Sequence, residues 1–314
     1  MMSQTQRAGH QRDDGFIIVA VLWMLGALAT LAVVYSLYVK ETTAAFLDHN
    51  ERLQGEALAI SGVELAVYRL TEVPDKRPPL GRFSFRQGSA VVNVAFGAEN
   101  GRIDLNFAPK EILAGLFTGL GASQQAALYF ADRIVGWRTP LAANTQDTEA
   151  AIYQSAGKAY GPRHGPFQSV DEVALVVGLP PQFIDRALPY LTVYSGQTGI
   201  NVMSAPAAVI AALPGITPDR VQLLVGERDL AMAQDNPMSQ DAIRSQLASA
   251  ANYVSLQPSA ANRITVDMRF PSGRRMRAQA VVMVVDKDTE PYRVLSWRDA
   301  ELSGDAGAGA ADWQ

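Results

Sequence analysis

The chain has 314 residues with 27 Lys+Arg, 31 Asp+Glu, three His and no Cys. That composition excludes a disulfide framework, a Cys-rich zinc site and a thiol nucleophile, and the wide separation of His10, His49 and His164 argues against a metal cage built on histidine. A net charge of -4 with 18% charged residues describes a foldable chain without the basic excess that non-specific nucleic-acid binding draws on.

Residues 1–15 form a short polar leader ending in Gly15, in which Arg7 and Arg12 are offset by Asp13 and Asp14. From Phe16 to Val39 the chain carries no charge and is almost entirely apolar. As a helix this run spans about 36 Å, against a hydrocarbon core of roughly 30 Å, so 16–39 is a transmembrane segment. A cleaved secretory signal has an apolar region of only about 7 to 15 residues, shorter than this one. Trp23, Tyr35 and Tyr38 supply interfacial aromatics, the tyrosines near Lys40. Beyond the membrane, Leu53, Ala57, Ile60, Val63, Val67 and Leu70 recur at steps of three and four. That spacing predicts one helix from about Phe16 to Leu70 whose outer half packs an apolar stripe on a folded domain.

A polar leader ending in glycine, a phenylalanine opening an apolar span, and a long amphipathic continuation resemble type IV pilins and pseudopilins. The resemblance implies cleavage of the Gly15-Phe16 bond by prepilin peptidase and N-methylation of Phe16. It also implies a glutamate at the fifth mature position, where this chain has Ala20. Loss of that glutamate is a mark of one branch, the K-type minor pseudopilins of the type II secretion system. A carboxylate within the membrane is costly unless paired, and a subunit in a special position can dispense with it.

The pilin-type helix region is expected over 16–73. After the Pro-rich stretch Pro74 to Pro79, alternation in Arg82 to Arg86, a turn at Gln87-Gly88-Ser89 and the run Ala90 to Phe96 predict a hairpin. A second strand group follows late, at Ile264 to Phe270, Arg274 to Val285 and Tyr292 to Trp297. Strands at both ends with helices between predict an α+β fold: a small antiparallel sheet from 74–100 and 260–298, and a mostly helical insertion over 101–259. Arg269, Arg274, Arg275 and Arg277 gather around the late hairpin, where such charges guard a strand against edge pairing or meet another subunit.

The insertion repeats itself. Gly101 to Leu116 aligns with Thr198 to Leu213 at an offset of 97, each with an apolar-polar-apolar strand and then Ala-Pro opening a helix. A glycine turn and a further helix follow in each copy, giving two SAM-like or helix-hairpin-like units over about 101–195 and 196–259. Helix-hairpin-helix modules grip DNA phosphates through turn amides. Gly101 to Pro140 holds four basic and three acidic residues, and Gly196 to Leu230 holds two basic and three acidic, so neither copy has the cluster of cations that phosphate binding requires. Nucleic acid is therefore not expected as a partner. The two-copy unit also looks like the helical insertion of the K-type family, so the resemblance extends from Gly15 to about Trp297.

No nucleophile elbow, phosphate loop or zinc helix motif occurs, and no enzyme is expected. Asp171 and Glu172 follow Ser169, where they cap a helix start. The resemblance implies Ca2+ in an acidic loop after the first helical unit, with Asp132, Asp147, Glu149 and Asp171 as candidate ligands. Residues 299–314 are expected as a disordered tail. The family implies a single-pass inner-membrane protein with a periplasmic C-terminal domain, placed at a pseudopilus tip to start and cap assembly. Its implied partners are minor pseudopilins of the I, J and H types, the inner-membrane secretion platform and prepilin peptidase. The alternative reading is a membrane-tethered DNA-binding component of a DNA-uptake apparatus that uses the hairpin units.

Overall fold

A computed structural model describes residues 14–72, 77–234, 238, 240–285 and 290–302. Most of the leader and the tail from residue 303 lie outside the described residues. The chain divides into two compact units, 1–57 and 58–314.

The first helix, α1 (Asp14–Thr71), is continuous as its composition predicts, since no proline interrupts it before Pro74. Within the first unit, Ile18 to Val39 is exposed, and Ile18–Lys40 is long and apolar enough to cross a membrane. In the second unit α1 buries Leu58, Ala59, Val63, Ala66, Val67 and Leu70, while Ile60 is 55% exposed. The buried face is thus turned from the expected one, and Ile60, Leu53 and Ala57 leave it. Small residues explain the rotation. A Cβ at Gly62 would lie 2.9 Å from the methyl carbons of Val266, so Gly62, Ala59 and Ala66 let the helix approach the sheet closely.

The sheet is five-stranded and antiparallel, in the order β1 (Leu80–Gln87), β2 (Ala90–Ala98), β5 (Ala261–Arg269), β6 (Arg275–Val284) and β7 (Tyr292–Leu302). Alternation sends Val92, Val94, Phe96, Ile264, Val266, Met268, Ala278, Ala280 and Val282 to the face that packs on α1. The β1–β2 and β5–β6 turns each carry a glycine with φ near +60° to +90°, Gly88 and Gly273, as the sequence requires. Residues 299–302 are strand, paired to β6 from Ala278 to Arg275, where a disordered tail was expected. β5 and β6 are interior strands, so Arg269, Arg275 and Arg277 do not guard an edge.

Between β2 and β5 the chain makes a separate core. It contains β3 (Ile103–Asp104), α2 (Lys110–Gly119), α3 (Gln124–Arg138), α4 (Thr148–Ser155), α5 (Pro181–Ala187), β4 (Leu191–Thr192), α6 (Ala207–Ala211), α7 (Pro218–Ala233) and α8 (Gln240–Leu247). Each copy of the repeat starts with a short parallel pairing to its own later part: Ile103 opposite Leu191, and Ile200 opposite Val254. Pro109 and Pro206 both sit at the N-cap, one residue ahead of the first helical position. Ser169 caps a 3-10 turn at Val170–Leu175, its hydroxyl accepting from the Asp171 amide at 3.2 Å.

Candidate functional site

Gly15 and Phe16 lie in the first turn of α1, and Ala20 is exposed on the apolar span. From Phe16 to Val39 the polar side-chain groups are the Trp23 indole N–H and the hydroxyls of Thr30, Tyr35, Ser36 and Tyr38, and Thr30 spends its own on the Gly26 carbonyl at 2.8 Å.

The insertion is fastened to the sheet by a buried polar joint. Glu99, just after β2, is fully buried and accepts from Thr192 Oγ1 at 2.6 Å and from Arg263 Nη2 and Nε at 2.5 and 3.1 Å. Burial alone would raise its pKa, but Arg263, with help from Arg102 and Thr192, holds the carboxyl below its ordinary range. Beside it, the Asn100 amide donates to Ser259 Oγ and the Ser259 amide donates to Asn100 Oδ1, both at 3.2 Å. The entry and the exit of the insertion are therefore tied to each other.

Inside the insertion the two copies use one device. Asp104 Oδ1 accepts from the Asn106 amide and Asn201 Oδ1 from the Met203 amide, at 2.8 and 3.0 Å. Arg138 of α3 donates to the carbonyls of Leu105 and Ala108, and Arg228 of α7 to those of Val202 and Ala205. Those carbonyls correspond at the offset of 97. Equivalent positions also meet: a Cβ on Gly115 would come within 2.1 Å of the Ala212 carbonyl oxygen, and Asn100 Nδ2 donates to Gln197 Oε1 at 2.8 Å. Contact between a residue and its own counterpart is what a local two-fold relation between copies produces. Neither arginine was singled out from the sequence, because each lies outside the aligned stretch and reads as an ordinary helix-surface charge.

The same geometry bears on phosphate binding. In the first hairpin turn the Gly121 and Ala122 amides already donate to Thr118 and Phe117 carbonyls at 2.9 Å each. A phosphate would have to displace both.

The calcium candidates are scattered among cations. Asp132 pairs with Lys110 at 2.6 Å, Glu149 with Arg133 at 2.8 Å, Asp147 with His164 at 2.7 Å and Asp171 with Arg298 at 2.6 Å. His164 has the Thr139 carbonyl 3.1 Å from Nδ1 and the Asp147 carboxylate at Nε2, two acceptors that only a doubly protonated ring satisfies. Burial works against that charge, yet the bond to Asp147 and the Thr139 carbonyl prevail and raise the His164 pKa. The buried polar atoms left without hydrogen-bond partners here are Glu149 Oε1 together with the donors Arg133 Nε and Nη1 and Trp137 Nε1, and donors cannot ligate a cation. Among the described residues no three His, Asp or Glu side chains are grouped to hold a metal. These residues, as folded, do not fit Ca2+.

An apolar N-terminal helix, an antiparallel sheet and a helical insertion between adjacent strands define the class by its fold, an α+β architecture of the pilin-like kind. Residues 93–196 match the family model for type II secretion system (T2SS), protein K. Among solved structures the chain is similar to one in the crystal structure of the GspK-GspI-GspJ complex from the enterotoxigenic Escherichia coli type 2 secretion system. That likeness has 14% identity and a TM-score of 0.56, over 81% of this chain and 99% of that chain. No curated protein matches. Together the family match and the shared fold bear out the resemblance to K-type minor pseudopilins, a family of structural components of a secretion machine and not a known enzyme family.

Proposed function

We propose that this protein is the tip subunit of a type II secretion pseudopilus, where it starts and caps assembly for protein export across the outer membrane. The observation that carries the reading is α1, a single helix holding both an apolar span beginning at Gly15-Phe16 and a segment that packs on the sheet. Prepilin peptidase cuts between Gly15 and Phe16, Phe16 is methylated, and the helix anchors the protein in the inner membrane with residues 58–314 in the periplasm. Bundling of this helix with those of I-, J- and H-type minor pseudopilins, at the inner-membrane platform, draws it from lipid into the fibre. The complex named in the similar structure supports I- and J-type partners. Ala20 spares the tip subunit a carboxylate that no further subunit would neutralise. The insertion over 101–259 is bulky enough to block stacking of another subunit, and exclusion makes a cap.

The test is a change at the processing site. Gly15→Val is expected to leave a precursor that retains its leader by mass spectrometry and to stop secretion in cells. Mature-sized protein from that variant, with secretion intact, would overturn the reading.

A further inference from the structure

The face of the sheet turned away from α1 is dominated by arginine. Strand alternation and register place Arg82, Arg298 and Gln279 in one cross-strand row, Asp267 and Arg277 in the next, and Arg86, Arg269 and Arg275 in the third. Because β5 and β6 are interior strands, these charges have no edge to protect. Three arginines on this face have internal partners: Arg263 with Glu99, Arg277 with Asp267 and Arg298 with Asp171. Arg82, Arg86, Arg269 and Arg275 have no carboxylate within 4.0 Å among the described residues. Arg269 and Arg275 stand directly opposite each other and are both exposed, an arrangement in which like charges repel across the ladder. A solvated face has no need to keep that repulsion, whereas an anionic partner turns it into attraction.

The same face floors a cleft of about 690 Å³. Its arginines are Arg82, Arg102, Arg263, Arg277 and Arg298, of which the last four are paired to Glu99, Glu99, Asp267 and Asp171, while Arg82 is exposed with no carboxylate within 4.0 Å among the described residues; Leu188, Pro189, Tyr190 and Pro206 also line it. An arginine beside apolar side chains in the cleft, with the exposed arginines further along the same face, suits a polypeptide segment that alternates carboxylates with apolar side chains, each carboxylate taking a fork of two N–H donors. A nucleic-acid strand fits worse. Asp267 lies in the floor, and the aromatic lining residues, Phe83 and Tyr190, make no run of stacking rings. We infer that this sheet face is a docking surface for an acidic segment of a partner polypeptide, seated in the cleft at Arg82 and continuing along the sheet, two cross-strand rows on, to Arg86, Arg269 and Arg275. The inference concerns the sheet and stands apart from the processing and capping of the N-terminal helix.

The test uses the full chain in nonionic detergent and a fluorescent short peptide of glutamates with interspersed leucines, read by anisotropy at low and physiological salt. The peptide is expected to bind, to weaken with salt, and to bind at least about tenfold more weakly to the double variant Arg269→Gln with Arg275→Gln. Lys158→Gln, in the insertion, is expected to bind as the parent does. Circular dichroism and the melting temperature establish that the double variant is folded, and relief of the Arg269–Arg275 repulsion is expected to leave its stability at or above the parent's. Absence of binding at low salt, binding unaltered in the folded double variant, or tighter binding of an oligothymidylate of equal charge would each overturn the proposal.

Discussion

The two copies of the repeat share a frame but are secured by different chemistry. In the first, Asn106 reaches across to Phe167, its Oδ1 accepting from the amide and its Nδ2 donating to the carbonyl, at 2.6 and 2.9 Å. In the second, the equivalent Met203 is 8% exposed and packs in the core. Glu99, with its arginines, precedes the first copy, and the corresponding position in the second is Gly196, whose amide donates to Asp104 Oδ2 at 2.9 Å. One copy is tied by hydrogen bonds and charge, the other sealed by fit. The common part is an Asx turn with an arginine over two carbonyls, placed where each copy passes into its helix. What differs is set by what each copy abuts.

Breaking the charged joint tests this division most severely. Glu99→Gln leaves Arg263 buried beside a neutral group, and a loss of about 3–5 kcal/mol in denaturant unfolding is expected. The pH dependence follows from the lowered carboxyl pKa. The stabilisation is fully present above the unfolded value near 4.5 and disappears as pH falls through the folded one, so the parent weakens in acid more steeply than the variant. Next comes the seam between copies, where Gly115→Ala drives a methyl into the Ala212 carbonyl, and about 3 kcal/mol of destabilisation is expected. Arg138→Ala and Arg228→Ala each strip two carbonyls of their donor. About 2 kcal/mol is expected for each, with the more deeply buried Arg228 costing more. Exchanging the copies' chemistry is milder: Asn106→Met is expected to cost about 1–2 kcal/mol through the two orphaned backbone groups of Phe167. His164 gives the smallest effect. Its raised pKa makes its contribution full below the unfolded value of 6.5 and lost as pH rises through the folded one. His164→Gln is therefore expected to flatten the stability profile above pH 6.5 by less than about 2 °C in Tm. Chelation of divalent cations is expected to leave Tm unchanged, because Lys110, Arg133 and His164 already neutralise the carboxylates there.

Much of the architecture could be read from periodicity. The apolar run, the alternation in β1, β2, β5 and β6 and the Ala-Pro repeat each carry their own local signal. The face of α1 that meets the sheet could not be read in the same way. Glycine and alanine make the closest approach, and hydrophobicity gives them little weight beside Ile60. The polar joint was equally silent, since Glu99 and Arg263 are 164 residues apart and each alone is an ordinary charge. The carboxylates proposed for calcium rest on the family resemblance, which does not reveal which cations the fold brings beside them. Arg269 and Arg275 were visible as a cluster, and only strand order shows that they lie in the middle of a sheet.

β2 and β5 are neighbours in the sheet, and their pairing ends at Ala98 opposite Asn262. In covalent terms the whole helical region is the connection of one hairpin, grown until it acquired a hydrophobic core of its own. Closing so long a loop costs only slightly more entropy than closing a short one, as the cost rises with the logarithm of length. Such a region behaves as a cassette: its size and surface are free to diverge between relatives while the strands that bracket it continue to pair in register.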